Sequence, residues 1–221
     1  MEQPLLKKLC VVIPMKSPRR AKQRLASCLS DASREKLALN LFESTLVFFR
    51  YEFASLDVLV VSDSREILAL AQRHGALCLF DEGGLGLNGA LDRACQKVTS
   101  LSYAHQLIIP SDIAWLDKQE IHTLLMAARE SDVVIAEAKD GGTNALLTSP
   151  PSAIAFHYGV HSALSHHQQA ARRGLRCCSL QLPHLSLDID HSDDLEQATQ
   201  QQPNRFKTWR LAPQSKERSY V

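Results

Sequence analysis

The chain has 221 residues, 45% of them apolar and 22% charged, an ordinary globular balance that excludes collagen-like, low-complexity and mainly disordered chains. No apolar run reaches the roughly 18 residues needed to cross a bilayer, and the opening Met1-Glu-Gln-Pro lacks a secretory leader's regions, so a soluble, cytoplasmic protein is expected. The net charge of +1 divides into +6 over residues 1–50, −9 over 51–202 and +4 over 203–221, which is not the continuous basic stripe of a duplex binder.

Short apolar runs alternate with amphipathic segments along the chain. Leu9 to Pro14 (LCVVIP) reads as a buried strand, and residues 33–49 as a helix with Leu37, Leu41 and Leu46 on one face. Asp57 to Ser62 is a second buried strand, followed by a helix from Arg65 to His74 that Gly75 stops. Ala76 to Phe80 is a third strand, and a glycine-bearing loop from Asp81 leads into a helix over Asn88–Val98. Gln106 to Pro110 is a fourth strand, then a helix over Asp117–Glu130 and a fifth strand over Asp132–Ala136. A short strand at Asn144–Thr148, a helix at Ser162–Gly174, a strand at Cys177–Leu182 and a helix at Asp193–Gln200 complete one domain over residues 1–202. Residues 203–221 read as a basic C-terminal tail and a candidate dimer arm.

Strands apolar on both faces, alternating with helices, predict an α/β fold of three layers: a mostly parallel sheet with helices on both faces. Ligands then lie beyond the carboxyl ends of the strands. The first strand ends in a loop holding Lys16, Arg19, Arg20, Lys22 and Arg24. Five cations so close repel one another unless they face water or an anion, and a polyphosphate answers both charges and backbone N–H groups. The loop lacks the P-loop pattern. Asp63 ends the second strand, as a helix cap or a ligand contact.

Asp112 follows the fourth strand, and Asp188 and Asp190 alternate with Leu187 and Ile189 in an extended segment, so both carboxylates share one side. Three carboxylates at one sheet mouth form an oxygen-rich set of the kind Mg²⁺ prefers. Gly141-Gly-Thr143 and the Tyr158-Gly159 segment before Ser162 are either tight turns or an anion site at a helix N-terminus. His157, His161, His166 and His167 lack a metalloprotease pattern, and the six scattered cysteines lack C-x-x-C spacing. Zinc is not expected, and the thiols read as reduced.

The order of several short pieces resembles the 2-phospho-L-lactate guanylyltransferase family of coenzyme F-420 biosynthesis, which includes the phosphoenolpyruvate and 3-phospho-D-glycerate guanylyltransferases. The pieces are Val12-Ile-Pro-Met-Lys, Ala21-Lys-Gln-Arg-Leu, Val60-Val-Ser-Asp, Gly86-Leu-Asn-Gly-Ala-Leu, Ile109-Pro-Ser-Asp, Gly142-Thr-Asn-Ala-Leu-Leu, Tyr158-Gly-Val-His-Ser and Asp188-Ile-Asp-His-Ser-Asp-Asp-Leu. The resemblance implies a fold like the nucleotide-diphospho-sugar transferases and transfer of GMP from GTP to the phosphate of a three-carbon acid. It implies that Lys16, Lys22 and Arg24 bind nucleotide phosphates, with Asp112, Lys22 and Arg24 catalytic. Asp63, Glu82, Gly83 and Asn88 would serve the nucleotide, and Asp112, Asp188 and Asp190 would hold Mg²⁺. Thr143, Gly159 and Ser162 would bind the phospho-acid. The sequence departs from the family at Pro110-Ser-Asp-Ile-Ala, which lacks a second proline, and before Thr143, where an acid–arginine pair is missing. The competing readings are a nucleotidyltransferase of this fold with a molybdopterin or sugar-phosphate acceptor, and a non-catalytic nucleotide-binding subunit. No nucleic acid or membrane partner is expected.

Overall fold

A computed structural model describes residues 8–209. Among the described residues seven strands form one sheet: β1 (Leu9–Pro14), β2 (Asp57–Ser62), β3 (Leu77–Phe80), β4 (His105–Ile108), β5 (Val133–Glu137), β6 (Thr143–Thr148) and β7 (Cys177–Leu180). Their order is β3-β2-β1-β4-β6-β5-β7. The main helices are α1 (Asp31–Glu52), α2 (Arg65–Arg73), α3 (Gly86–Ser100), α4 (Lys118–Ala127), α5 (Ser162–Arg172) and α6 (Ser192–Gln201), with a short α7 (Pro203–Phe206).

The strand pleat sorts the core into two layers. Leu9, Val11 and Ile13 pack with Phe42, Phe49, Ile67 and Leu124 of α1, α2 and α4. Cys10 and Val12 point the other way, against Leu91, Ala94 and Val98 of α3 and Ala163 and Ala170 of α5. Burying a strand on both faces removes most of its side chains from water, at roughly 1.5–3 kcal/mol for each large one. That is why uninterrupted apolar runs such as LCVVIP settle in the centre of the sheet.

β6 departs from the parallel pattern and runs antiparallel to both β4 and β5. The reason is the length of its connection. Only the segment Ala138–Gly142 joins it to β5, closed by Ala138 N–H donating to Gly142 O (3.0 Å) and Gly141 N–H to Ala138 O (3.1 Å). Five residues make a hairpin but cannot make a crossover. Gly141 sits at φ +81°, which glycine adopts without steric cost. The predicted helix over Asp117–Glu130 is shorter at both ends. Asp117 is its N-cap, accepting from the N–H groups of Gln119 and Glu120. After Ala127 a tight turn delivers the chain to β5, with Ser131 N–H donating to Ala127 O (3.1 Å).

A third apolar cluster lies beyond the sheet and joins Leu25, Leu37, Leu41, Ala114, Leu187, Ile189, Leu195, Phe206 and Trp209. This corrects the boundary expected at residue 202. Residues 203–209 form α7 and a 3₁₀ turn, and Phe206 and Trp209 are buried in the domain. The remainder of the predicted tail, 210–221, lies outside the described residues. Among the described residues all six cysteines are free, and burial pushes the Cys10 thiol up to about 12. No helix among the described residues is long and apolar enough to cross a membrane.

Candidate active site

A cavity of about 470 Å³ opens at the carboxyl ends of β1, β2, β3 and β4. β1 feeds β2 on one side and pairs with β4 on the other, so the cavity straddles the point where the strand order reverses. Its lining joins residues distant in sequence: Lys16, Arg20, Lys22, Asp63, Asp112 and Asp190 among them.

Two 3₁₀ turns, Pro18–Arg20 and Gln23–Leu25, fold the basic loop, and Leu25 anchors it in the third apolar cluster. Between them Lys22 takes a left-handed conformation at φ 54°. Its side chain is only 4% exposed, and Nζ lies 2.7 Å from Asp112 Oδ2 and 3.2 Å from Asp190 Oδ1. Burial works against the ammonium, but the two carboxylates outweigh it and hold its pKa above the ordinary lysine range. Arg24 extends from the same turn, with Nη1 3.1 Å from Asp190 Oδ2. Lys16 makes no ion pair or hydrogen bond among the described residues, and it faces the cavity.

Asp63 has a different task from the helix cap considered above. Ser64 caps α2, its hydroxyl accepting from Ile67 N–H. The Asp63 carboxylate accepts from Ser17 N–H at 2.9 Å and pairs with Arg20. It ties the basic loop to the end of β2.

The three acids meet because two loops pair as a minimal antiparallel bridge at Ile113 and Asp188. Ile189 N–H donates to Asp112 O (3.1 Å) and Ala114 N–H to Leu187 O (2.9 Å). Leu187 and Ile189 go into the third apolar cluster, leaving Asp188 and Asp190 on the opposite side with Asp112. One oxygen from each carboxylate lies within 4.8 Å of the others. Asn144, on β6, donates from Nδ2 to Asp188 Oδ1 (3.0 Å) and to Leu185 O (2.8 Å), which fixes that carboxylate. Burial raises the Asp188 pKa, and repulsion from Asp112 adds to it against the Asn144 hydrogen bond. Such crowding of hard oxygen donors fits a divalent cation of the Mg²⁺ type.

The remaining expected residues fall elsewhere. Glu82 is exposed and outside the cavity lining, whereas Gly83 lines it. Asn88 spends its amide on the backbone of Tyr158, donating to Tyr158 O (3.1 Å) and accepting from Tyr158 N–H (2.8 Å). It positions a loop and lies outside the cavity lining. Thr143 and Ser162 are buried and outside the lining, with Ser162 Oγ donating to Thr143 Oγ1 (3.1 Å). Gly159 is exposed on the loop above them. His166 completes this network. Its Nε2 accepts from His157 N–H (3.1 Å), which puts the ring proton on Nδ1, facing Thr143 Oγ1 at 3.1 Å. Burial first, then the neighbouring His157 and His167, bring its pKa down to about 4, so the ring is neutral. The α5 N-terminus expected as an anion site already gives Ala163 N–H to Gly141 O (3.2 Å) and Ser162 N–H to Gly159 O (3.2 Å).

Three further residues reach the site. Tyr158 lines the cavity, packs its ring on His166 at 5.1 Å, and buries a hydroxyl that has no hydrogen-bond partner among the described residues. Ser111 also lines the cavity. So does Asp81, directly after β3, and it was legible by the same pattern that singled out Asp63 and Asp112, an acid at a strand's carboxyl end.

Comparison with known proteins identifies the family and the fold. The family described as guanylyl transferase CofC-like matches residues 9–200. The chain is 45% identical over 187 residues to 3-phospho-D-glycerate guanylyltransferase of Colwellia psychrerythraea, covering 84% of this chain and 89% of that protein. It is 38% identical over 203 residues to phosphoenolpyruvate guanylyltransferase of a Roseiflexus species, covering 91% and 89% of the two chains. Against 2-phospho-L-lactate guanylyltransferase of Methanothermobacter thermautotrophicus it is 35% identical over 189 residues, covering 85% and 82%. The fold is similar to a nucleotide-diphospho-sugar transferase-type structure from Desulfovibrio desulfuricans, with TM-score 0.71, 15% identity and coverage of 93% and 99%. It is also similar to 4-diphosphocytidyl-2C-methyl-D-erythritol synthase of Anaerococcus prevotii, at TM-score 0.61, 10% identity and coverage of 88% and 98%. The chain belongs to the guanylyl transferase CofC-like family.

Proposed function

We propose that this protein is a guanylyltransferase that moves GMP from GTP to the phosphate of a three-carbon phospho-acid and releases pyrophosphate. The observation that carries the reading is the meeting of the basic loop with the three acids around one cavity, in a chain of this family. The acceptor phosphate oxygen attacks the α-phosphorus of GTP. A new P–O bond forms, the bond to the β-phosphate bridge breaks, and its electron pair leaves with pyrophosphate. The nucleophile is already anionic, so the site needs no strong general base. It needs charge neutralisation, because two polyanions must approach.

Lys16, unpaired among the described residues and facing the cavity, attracts the triphosphate. Lys22 and Arg24, anchored on Asp112 and Asp190, present fixed positive charge to the transferring group and pay little to reorganise. Asp112, Asp188 and Asp190 would hold Mg²⁺, which when bound supplies Lewis-acid stabilisation of phosphate charge. Thr143, Gly159 and Ser162 are the acceptor side. Binding there exchanges the Ser162–Thr143 hydrogen bond for bonds to the acceptor's phosphate.

Among three-carbon acids, 3-phospho-D-glycerate is the favoured acceptor, on the strength of the 45% identity to the guanylyltransferase of that name. The test is turnover of GTP with 3-phospho-D-glycerate, phosphoenolpyruvate and 2-phospho-L-lactate, in Mg²⁺, read by mass spectrometry of the product. A guanosine-diphospho-acid and pyrophosphate in equal amounts are expected. Asp112→Asn should lower kcat by roughly two orders of magnitude, the scale of losing an electrostatic contact made in the transition state. Activity only with sugar phosphates, or wild-type kcat in Asp112→Asn, would overturn the reading.

A further inference from the structure

Among the described acids that line the cavity, Asp81 is the one that neither phosphate transfer nor the anchoring of the basic loop uses. It follows β3 directly, and its backbone N–H donates to Ser62 O (2.8 Å), which holds it at the end of the sheet beside β2. The residue is only 9% exposed. Arg93, on α3, approaches with Nη2 3.0 Å from Oδ1, and it also donates to Gly83 O at 3.4 Å. The approach to Oδ1 balances charge without the geometry of a hydrogen bond, and Oδ1 is buried with no donor among the described residues. Oδ2 receives no hydrogen bond from them either. A carboxylate so enclosed loses its water and normally recovers the cost through donors. Arg93 fixes its direction, but the described residues give it no hydrogen-bond donor.

Position says which ligand would supply them. The phosphate-facing groups, Lys22 and Asp112, gather beyond β1 and β4. β3 lies two strands from β1, or about 10 Å at ordinary strand spacing, which leaves room for a ribose between. The walls near Asp81 are flat and small. Gly83 and Gly84 carry no side chain at φ +83° and +95°, and Leu87 and Ala90 of α3 offer apolar surface. A planar ring that carries adjacent N–H donors on one edge fits these walls and this acceptor. Among the nucleobases guanine presents such an edge, N1–H beside the 2-amino group, whereas adenine and cytosine present a ring nitrogen acceptor beside their amino group.

We propose that Asp81, oriented by Arg93, is the residue that reads the guanine base, its carboxylate accepting from the N1–H and 2-amino group. The proposal rests on the guanylyltransferase reading and names the base contact within that site. It does not involve Glu82 or Asn88.

The experiment compares GTP, ITP, XTP and 2′-deoxy-GTP in wild type and Asp81→Asn, with the acceptor and Mg²⁺ held constant. ITP lacks the 2-amino group, and XTP replaces it with a carbonyl. Wild type should prefer GTP over ITP by about ten- to a hundredfold in kcat/KM, the scale of one hydrogen bond to a charged group. Asp81→Asn should lose about that much with GTP and gain with XTP, because the new amide donates to the xanthine carbonyl. A gain with XTP cannot come from misfolding. Equal loss with all four nucleotides, or an unchanged preference for GTP, would overturn the assignment. A loss of discrimination confined to 2′-deoxy-GTP would move Asp81 to the ribose and also overturn it. If the variant does not fold, equal use of GTP and ITP by wild type suffices to reject the proposal. Should wild type prefer ATP, CTP or UTP over GTP, the guanylyltransferase reading itself fails, which is a separate result.

Discussion

Lys22 illustrates how one side chain can hold a charged site together before any substrate arrives. Its ammonium stands between Asp112 and Asp190, in a place where a second cation would also be attracted. Lys22→Met leaves those carboxylates facing one another, with Arg24 still paired to Asp190 and Asp112 without its ammonium partner. The variant should lose about 1–3 kcal/mol of stability at neutral pH, less than for a fully buried pair because the carboxylates are 31% and 38% exposed. Mg²⁺ should then raise the melting temperature of Lys22→Met more than that of wild type, as the ion replaces the missing charge. Differential scanning calorimetry with and without Mg²⁺ checks both points. A variant as stable as wild type and indifferent to Mg²⁺ would remove the triad from the list of metal sites.

At the scale of elements, a dependence on pH arises where His166 of α5 meets Thr143 of β6. His166 of α5 is fully buried, and its folded pKa is about 4 against an ordinary value of 6.5. Between these values the unfolded chain binds a proton that the folded chain refuses. Falling pH therefore favours unfolding, beginning near 6.5 and levelling off below about 4. The full loss is about 3 kcal/mol, at 1.36 kcal/mol for each pH unit of separation. His166→Gln cannot ionise and should show a flatter stability curve across this window, even if its absolute stability is lower. Urea titrations at several pH values measure the difference. Parallel curves for the two proteins would mean that His166 is not the group responsible.

Across the whole molecule, the described C-terminal segment is part of the core that supports the acids. Phe206 is fully buried with Leu187 and Ile189, the residues that alternate with Asp188 and Asp190. Phe206→Ala should cost about 3–5 kcal/mol, the range for a large aromatic removed from a packed core. Denaturant unfolding decides it, since a loose tail would lose almost nothing. The sequence by itself determined the strand–helix alternation, the two-sided burial of β1 and the position of the acids at strand ends. These follow from local periodicity, which each segment carries independently of its neighbours. It also carried the pairing of Asp188 with Asp190 on one side, because an extended backbone alternates its side chains. What it did not contain was the partner of each polar group. Asn88 looks like a base contact until Tyr158, 70 positions on, takes both its polar atoms. Ser162 looks like a free hydroxyl until β6 brings Thr143 against it. The 203–209 segment is polar enough to resemble a tail, yet Phe206 and Trp209 find a cluster assembled from four separate parts of the chain. Hydrogen-bond satisfaction and burial depend on contacts between residues far apart in sequence. Only the tertiary structure brings those residues together, and so only it decides which polar side chains remain free for chemistry.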